Sequence, residues 1–162
     1  MDAFAALKSS YNTVFLIVGC GPAVKKLQKL AVKLGVQDKV IFTGGIPWSE
    51  VPKYYHLADV FLSASVTETQ GLTFLEAVVS GVPIIGIKDD CLSYIVEDGV
   101  SGYLCKDAKE MTKRIDTLYN DREKLAEISA NVHLDIEEYS SSTYTKRALA
   151  LYAQVLKDRK SS

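Results

Sequence analysis

All ten glycines of this 162-residue chain lie between Gly19 and Gly102, and all four prolines between Pro22 and Pro83. Residues that make tight turns therefore stop two-thirds of the way along. The 60 residues beyond Gly102 contain neither, yet they hold 21 of the chain's 39 charged side chains. Gly-free, charge-rich sequence with apolar residues every three or four positions reads as helix. The chain thus divides into a turn-rich mixed region, 1–105, and a helical tail, 106–162, expected to pack on the same domain.

Within the first region, Val14 to Val18 form a short, β-branched apolar run ending in Gly19-Cys20-Gly21-Pro22. That pattern reads as a strand buried on both faces, followed by a tight turn. Val24, Leu27, Leu30, Ala31 and Leu34 then share a helical stripe, with Gly35 at the C-terminal cap. The cycle repeats: strands at 40–42, 60–62 and 82–87, helices at 49–57, 72–80 and 92–96, and an edge strand at 103–105. Alternating strands and helices with short connections imply right-handed parallel crossovers, hence a Rossmann-like, doubly wound α/β sheet. Ligands in such sheets sit at the carboxyl ends of the strands. The tail reads as three helices, through Ala108–Leu118, Leu125–Val132 and Tyr144–Val155.

Charge and cysteine content narrow the functions. With 19 Lys and Arg against 20 Asp and Glu, the chain lacks the basic footprint of a nucleic-acid binder. No uncharged stretch approaches the ~18–20 residues needed to span a bilayer, and the first residues lack the sections of a signal peptide. Cys20, Cys91 and Cys105 form no CxxC pair, which argues against a disulfide framework or zinc site and suits a reducing cytoplasm. His56 and His133 are isolated from other ligand types, so no metal site is expected.

The phosphate-binding motifs separate cleanly. After Gly19 and Gly21 the third glycine of GxGxxG would fall at Val24, and the next strand ends in Thr43-Gly44-Gly45 with no acid for a ribose. This disfavours a dinucleotide site, and no GxxxxGK[ST] is present. The Gly21 turn stays open to two readings, close helix packing or a nucleotide contact. A stronger signal is Ser65-Val66-Thr67-Glu68-Thr69-Gln70-Gly71-Leu72-Thr73-Phe74-Leu75-Glu76. Glu68 falls in the loop after the 60–62 strand, and Glu76 one turn into the following helix, so two carboxylates and a helix N-terminus meet at one sheet edge. First-turn amides can hold a diphosphate, and Gly71 lacks the Cβ that would block close approach. A carboxylate one turn deeper can accept hydrogen bonds from two neighbouring ribose hydroxyls. The bland alternative is that Glu68 caps the helix and Glu76 is solvated. Against it, Glu76 lies among Phe74, Leu75, Ala77, Val78 and Val79, where an unpaired charge is costly, so its carboxylate should reach a polar opening.

Glu, seven residues, then Glu, with Gly71 before the helix and Ala77-x-x-x-Gly81-x-Pro83 after it, resembles the donor-site signature of retaining GT-B glycosyltransferases of family 4. The flanking motifs agree in order: Val18-Gly19-Cys20-Gly21-Pro22, Val40-Ile41-Phe42-Thr43-Gly44, Tyr54-Tyr55 with Ala58-Asp59-Val60, and Glu97-Asp98-Gly99 with Gly102-Tyr103-Leu104. The resemblance spans about 14–104. It implies that Glu76 binds the donor ribose and that the Gly71, Leu72 and Thr73 backbone, beside Gln70, receives the diphosphate. It further implies that Glu68 orients the transferred sugar as charge develops at its anomeric carbon, while Gly45 and Ile46 line the base. No metal or cofactor takes part, the nucleotide sugar being a substrate.

The run Glu68-Thr69-Gln70-Gly71 lacks the aromatic residue that much of the family has before the glycine. This version is similar to bacterial diacylglycerol glucosyltransferases, which implies UDP-glucose as donor, a membrane lipid as acceptor and a place at the inner face of the cell membrane. The terminal cations Lys157, Arg159 and Lys160 suit either a solvated helix end or such a peripheral contact. The family's N-terminal acceptor half is absent, as is the first strand of the donor half, which lies centrally between the strands at 14–18 and 60–62. Those two strands are expected either to close up directly or to have the gap between them filled by another chain, and the chain alone is expected not to turn over its donor. Outside this resemblance, the same features fit a nucleotide-binding or interaction module with no chemistry of its own.

Overall fold

The computed structural model describes residues 1–7, 11–132 and 140–160; His133 lies outside them. In chain order the elements are α1 (Asp2–Ala5), β1 (Phe15–Ile17), α2 (Val24–Lys33), β2 (Val40–Phe42), α3 (Val51–His56), β3 (Phe61–Ser63) and α4 (Leu72–Val79). There follow β4 (Ile84–Ile87), α5 (Asp90–Ile95), β5 (Gly102–Cys105), α6 (Ala108–Asn120), α7 (Arg122–Ala130) and α8 (Ser141–Lys160). All strand pairs are parallel, as the alternating pattern requires.

Local chemistry sets several boundaries. Gly35, at φ +68°, ends α2: its amide donates to the Val32 carbonyl at 3.0 Å and the Val36 amide to Ala31 at 3.0 Å, which satisfies two of the helix's last carbonyls. Aspartates cap three later helices. The Asp89, Asp107 and Asp121 side chains accept from the amides of Leu92 (2.7 Å), Glu110 (2.8 Å) and Lys124 (2.8 Å). The helix expected at 49–57 divides into a 3-10 turn, Trp48–Glu50, and α3, whose second residue is Pro52. Proline suits a first helical turn, where its missing amide leaves no hydrogen bond unmade.

The strands make two sheets rather than one. In the first, β1 pairs with β2; in the second, β4 lies between β3 and β5. Alternation places Ile84 with Phe74, Val78, Leu92 and Val96 on one face of the second sheet, and Ile85 with Met111, Ile115, Leu118 and Ile128 on the other. Helices thus cover both faces. Phe74, Ile84, Ile85, Leu92 and Ile128 are the largest fully buried side chains, each worth roughly 1.5–3 kcal/mol of transfer free energy.

β1 and β3 do not close up. A cleft of about 1180 Å³ separates them, lined on one side by Val14, Phe15 and Leu16 and on the other by Val60, Phe61 and Leu62. This corrects the expectation that 14–18 is a strand buried on both faces: only Phe15–Ile17 is extended, and Val14 and Val18 are 60% and 39% exposed. Among the described residues β1 is paired on one edge only and its other edge borders the cleft, so neither a strand nor a helix covers that side.

Other elements hold the β1–β2 unit in place. Phe4 of α1 packs with Ala31 and Val40, its ring 5.3 Å from that of Phe15, while its neighbour Ala3 joins the α6–α7 core. Ahead of β1, the buried Tyr11 donates its hydroxyl proton to the Asp116 carboxylate, accepts from Asn120 Nδ2 at 2.7 Å and stacks on Tyr119 with centroids 3.9 Å apart. Within the tail, α6 packs on β4, β5, α1 and α7, whereas α8 leaves Tyr144, Leu149, Tyr152 and Leu156 exposed. Among the described residues no helix is long and apolar enough to cross a membrane.

Candidate functional site

The loops at the carboxyl ends of β1, β2 and β3 converge, as parallel strands with helical crossovers dictate. The Gly19 amide donates to the Gly44 carbonyl at 3.1 Å, with Thr43 Oγ1 at 3.3 Å, and so joins the first two loops. Their tips touch: a Cβ built on Gly45 would lie 3.2 Å from Cys20 Sγ. Gly45, Cys20 and Gly21 are exposed here, and Ile46 turns inward to line the cleft.

The third loop runs into α4. Gly71, its N-cap, adopts the left-handed conformation at φ +58° and is buried. A Cβ there would come within 2.7 Å of both Cys91 Sγ and Phe74 Cδ2, so glycine is required by space as well as by φ. The N-cap of α4 is glycine itself, so the cap residue offers no side chain to the amides of the first turn. Glu68, Gln70, Leu72 and Thr73 are exposed around this first turn. The Cys91 thiol is raised above its ordinary range, chiefly by burial and then by the charges of Asp89 and Glu68. Glu68 is therefore electrostatically linked to the start of α5.

Glu76 is half-buried and lines the cleft together with Thr73. Its carboxylate is not left unpaired. The Tyr55 hydroxyl donates to Glu76 Oε2 at 2.9 Å and lies 3.3 Å from the Thr73 carbonyl oxygen. The Tyr55 ring packs at a tilt on Phe61, with centroids 5.6 Å apart. Burial first, then the hydrogen bond to Glu76 and its negative charge, drives the Tyr55 phenol far above the usual tyrosine range. The phenol therefore stays protonated and remains a donor.

Of the residues singled out by sequence, Glu76, Thr73 and Ile46 share the cleft, and Gly45 joins Cys20 at its rim. Gly71 lies behind α4, whereas Glu68, Gln70, Leu72 and Gly21 stand on exposed surface outside the cleft lining. Tyr55 was visible only as half of the Tyr54-Tyr55 pair. A weak signal for it existed, since a carboxylate in an apolar helix needs a donor from a neighbouring element.

Comparison with known proteins gives this geometry its context. The family model described as "Glycosyl transferases group 1" matches residues 1–134. The chain is 35% identical over 157 residues to the alpha-monoglucosyldiacylglycerol synthase of Acholeplasma laidlawii, covering 96% of this chain and 39% of that one. It is 44% identical over 103 residues to the synthase of the same name from Streptococcus pneumoniae, covering 63% and 23%. The chain thus spans less than half the length of these relatives. Among solved structures, it superposes with TM-score 0.77 at 26% identity on a mutant of S. aureus TarM in complex with fondaparinux, alpha-GlcNAc-glycerol and UDP, covering 86% of this chain and 29% of that one. The C-terminal domain of the group 1 glycosyl transferase LpcC from Francisella tularensis superposes with TM-score 0.73 at 26% identity, covering 82% and 72%. The fold is thus shared with the C-terminal domain of a group 1 glycosyl transferase, and with the family model matching most of its length this chain belongs to the glycosyl transferases of group 1.

Proposed function

We propose that this chain is the donor-binding half of a retaining glycosyltransferase that moves glucose from UDP-glucose to a lipid or glycan acceptor. The observation that supports this reading is the placement of Glu76, one turn into a helix with a glycine N-cap, with one carboxylate oxygen tied to Tyr55 and the residue lining the cleft between β1 and β3. In this reading Glu76 accepts from the ribose hydroxyls, and the Gly71, Leu72 and Thr73 backbone, flanked by Gln70, takes the diphosphate. Gly45, Ile46 and the Gly21 turn flank the base, and Glu68 orients the sugar. The similarity to monoglucosyldiacylglycerol synthases supports a lipid acceptor. The UDP held by the TarM mutant supports a uridine nucleotide. The nucleotide sugar is the substrate, and no resident metal or cofactor enters the reading.

In this reading the 162 residues bind donor, and transfer also needs the acceptor-side half that the resemblance implies. Thermal-shift titration with UDP-glucose, UDP and NAD tests this. The uridine ligands should raise the melting temperature; at a concentration a hundredfold above Kd the gain is about 2.7 kcal/mol. Glu76→Ala should weaken UDP at least tenfold while the chain stays folded. A preference for NAD, unchanged UDP binding in Glu76→Ala, or sugar transfer by the chain alone would each overturn the reading.

A further inference from the structure

Tyr55 belongs to α3, yet its hydroxyl reaches α4 and touches it twice, at Glu76 Oε2 (2.9 Å) and at the Thr73 carbonyl (3.3 Å). Its ring is fixed against Phe61 of β3. A glutamate has three side-chain torsions, and a carboxylate beside an open cleft samples many orientations unless a neighbour holds it. Tyr55 is the neighbour that does so, and it engages one oxygen only. The hydrogen bond found for the carboxylate is to Oε2, on a residue that lines the cleft, and the phenol, held protonated, repels no anion.

We infer that Tyr55 is a positioning residue: it presents Glu76 to the two hydroxyls of a nucleotide ribose and so sets how strongly the site discriminates ribose from a sugar lacking them. This rests on the donor-binding reading above and goes beyond it by assigning a determinant of ribose recognition outside the helix that carries Glu76. The phenol acts through the carboxylate and touches no reacting atom.

The test compares UDP with 2′,3′-dideoxyuridine diphosphate by calorimetric titration of the wild-type chain, Tyr55→Phe, Glu76→Gln and the double variant. Wild type should prefer UDP. Tyr55→Phe should weaken UDP about tenfold, equivalent to about 1.4 kcal/mol, with the dideoxy ligand unchanged. In the Glu76→Gln background, Tyr55→Phe should add nothing. Equal weakening of both ligands would mark a merely structural role and overturn the inference, as would unchanged or tighter UDP binding in Tyr55→Phe. Absence of UDP binding by wild type would overturn the donor-binding reading itself, which distinguishes the two failures. If Tyr55→Phe fails to fold, Tyr55→Leu takes its place in the same titrations, and equal weakening of both ligands, or unchanged UDP binding, overturns the inference.

Discussion

Replacing Gly71 by alanine tests the claim that the start of α4 is set by both backbone conformation and packing. At φ +58° an L-residue pays roughly 1–2 kcal/mol relative to glycine. The new Cβ would stand 2.7 Å from Cys91 Sγ and 2.7 Å from Phe74 Cδ2, whereas carbon contacts settle at about 3.5–4.0 Å, so each neighbour must retreat by about 1 Å. Phe74 cannot do so cheaply, being 1% exposed and packed in the cluster with Ala77, Val78, Ile84 and Leu92. Overpacking of this kind costs roughly 1–3 kcal/mol. Together the two effects give a loss of about 2–5 kcal/mol, which at roughly 2–4 °C per kcal/mol for a chain of this size lowers Tm by at least about 4 °C. Urea denaturation followed by circular dichroism measures it, with the m-value unchanged if only the native state is affected. Cys91→Ala removes the sulfur contact, so the double variant should be more stable than the sum of single effects by about 1 kcal/mol, with the φ penalty and the Phe74 overlap remaining. A Gly71→Ala loss below about 0.5 kcal/mol, which is the ordinary range for a surface substitution, would refute the reasoning. Strict additivity with Cys91→Ala would refute the packing half of it.

Two further outcomes follow from burial and pairing. The fully buried Cys105 thiol is pushed up to about 11 by burial, with the Glu110 charge next. The native state therefore keeps a proton that the unfolded chain loses from about pH 8.5, and stability that is full below that pH falls as pH rises towards 11. Cys105→Ala should remove on the order of 2 kcal/mol of that alkaline loss, read from urea midpoints between pH 8 and 11, and parallel curves for the two chains would contradict it. In native-state hydrogen exchange, β4, bonded on both edges, should hold its amide protons longest, while β1 and β3, each bonded on one, exchange sooner. Equal protection of β1 and β4 would mean that the cleft is closed in solution.

The elements easiest to read were those whose surroundings the chain itself supplies. β4 is a continuous apolar run because α4, α5, α6 and both neighbouring strands enclose it, and Gly35 marks the end of α2 because a left-handed cap follows from local geometry alone. β1 lies in an equally apolar run, but one of its edges borders the cleft, so Val14 and Val18 are exposed rather than interior as the pattern alone suggests. At the site, Glu76 was legible because a charge in an apolar helix demands an explanation. Its partner was not: Tyr55 lies 21 positions upstream on another element, and nothing in the local pattern says which face of α3 meets α4. The same holds for Cys91 behind Gly71, a contact made only once α5 folds back over α4.

The cleft between β1 and β3 also bears on how the isolated chain behaves when concentrated. Two strand edges border it, neither paired with another strand among the described residues, and an unpaired edge is a template for strands of other molecules. A single extended segment entering from another molecule would satisfy both edges at once. A route to self-association therefore lies inside the cleft, in addition to the exposed apolar side chains of α8. Whatever fills the cleft acts as a solubilising group as well as a structural one.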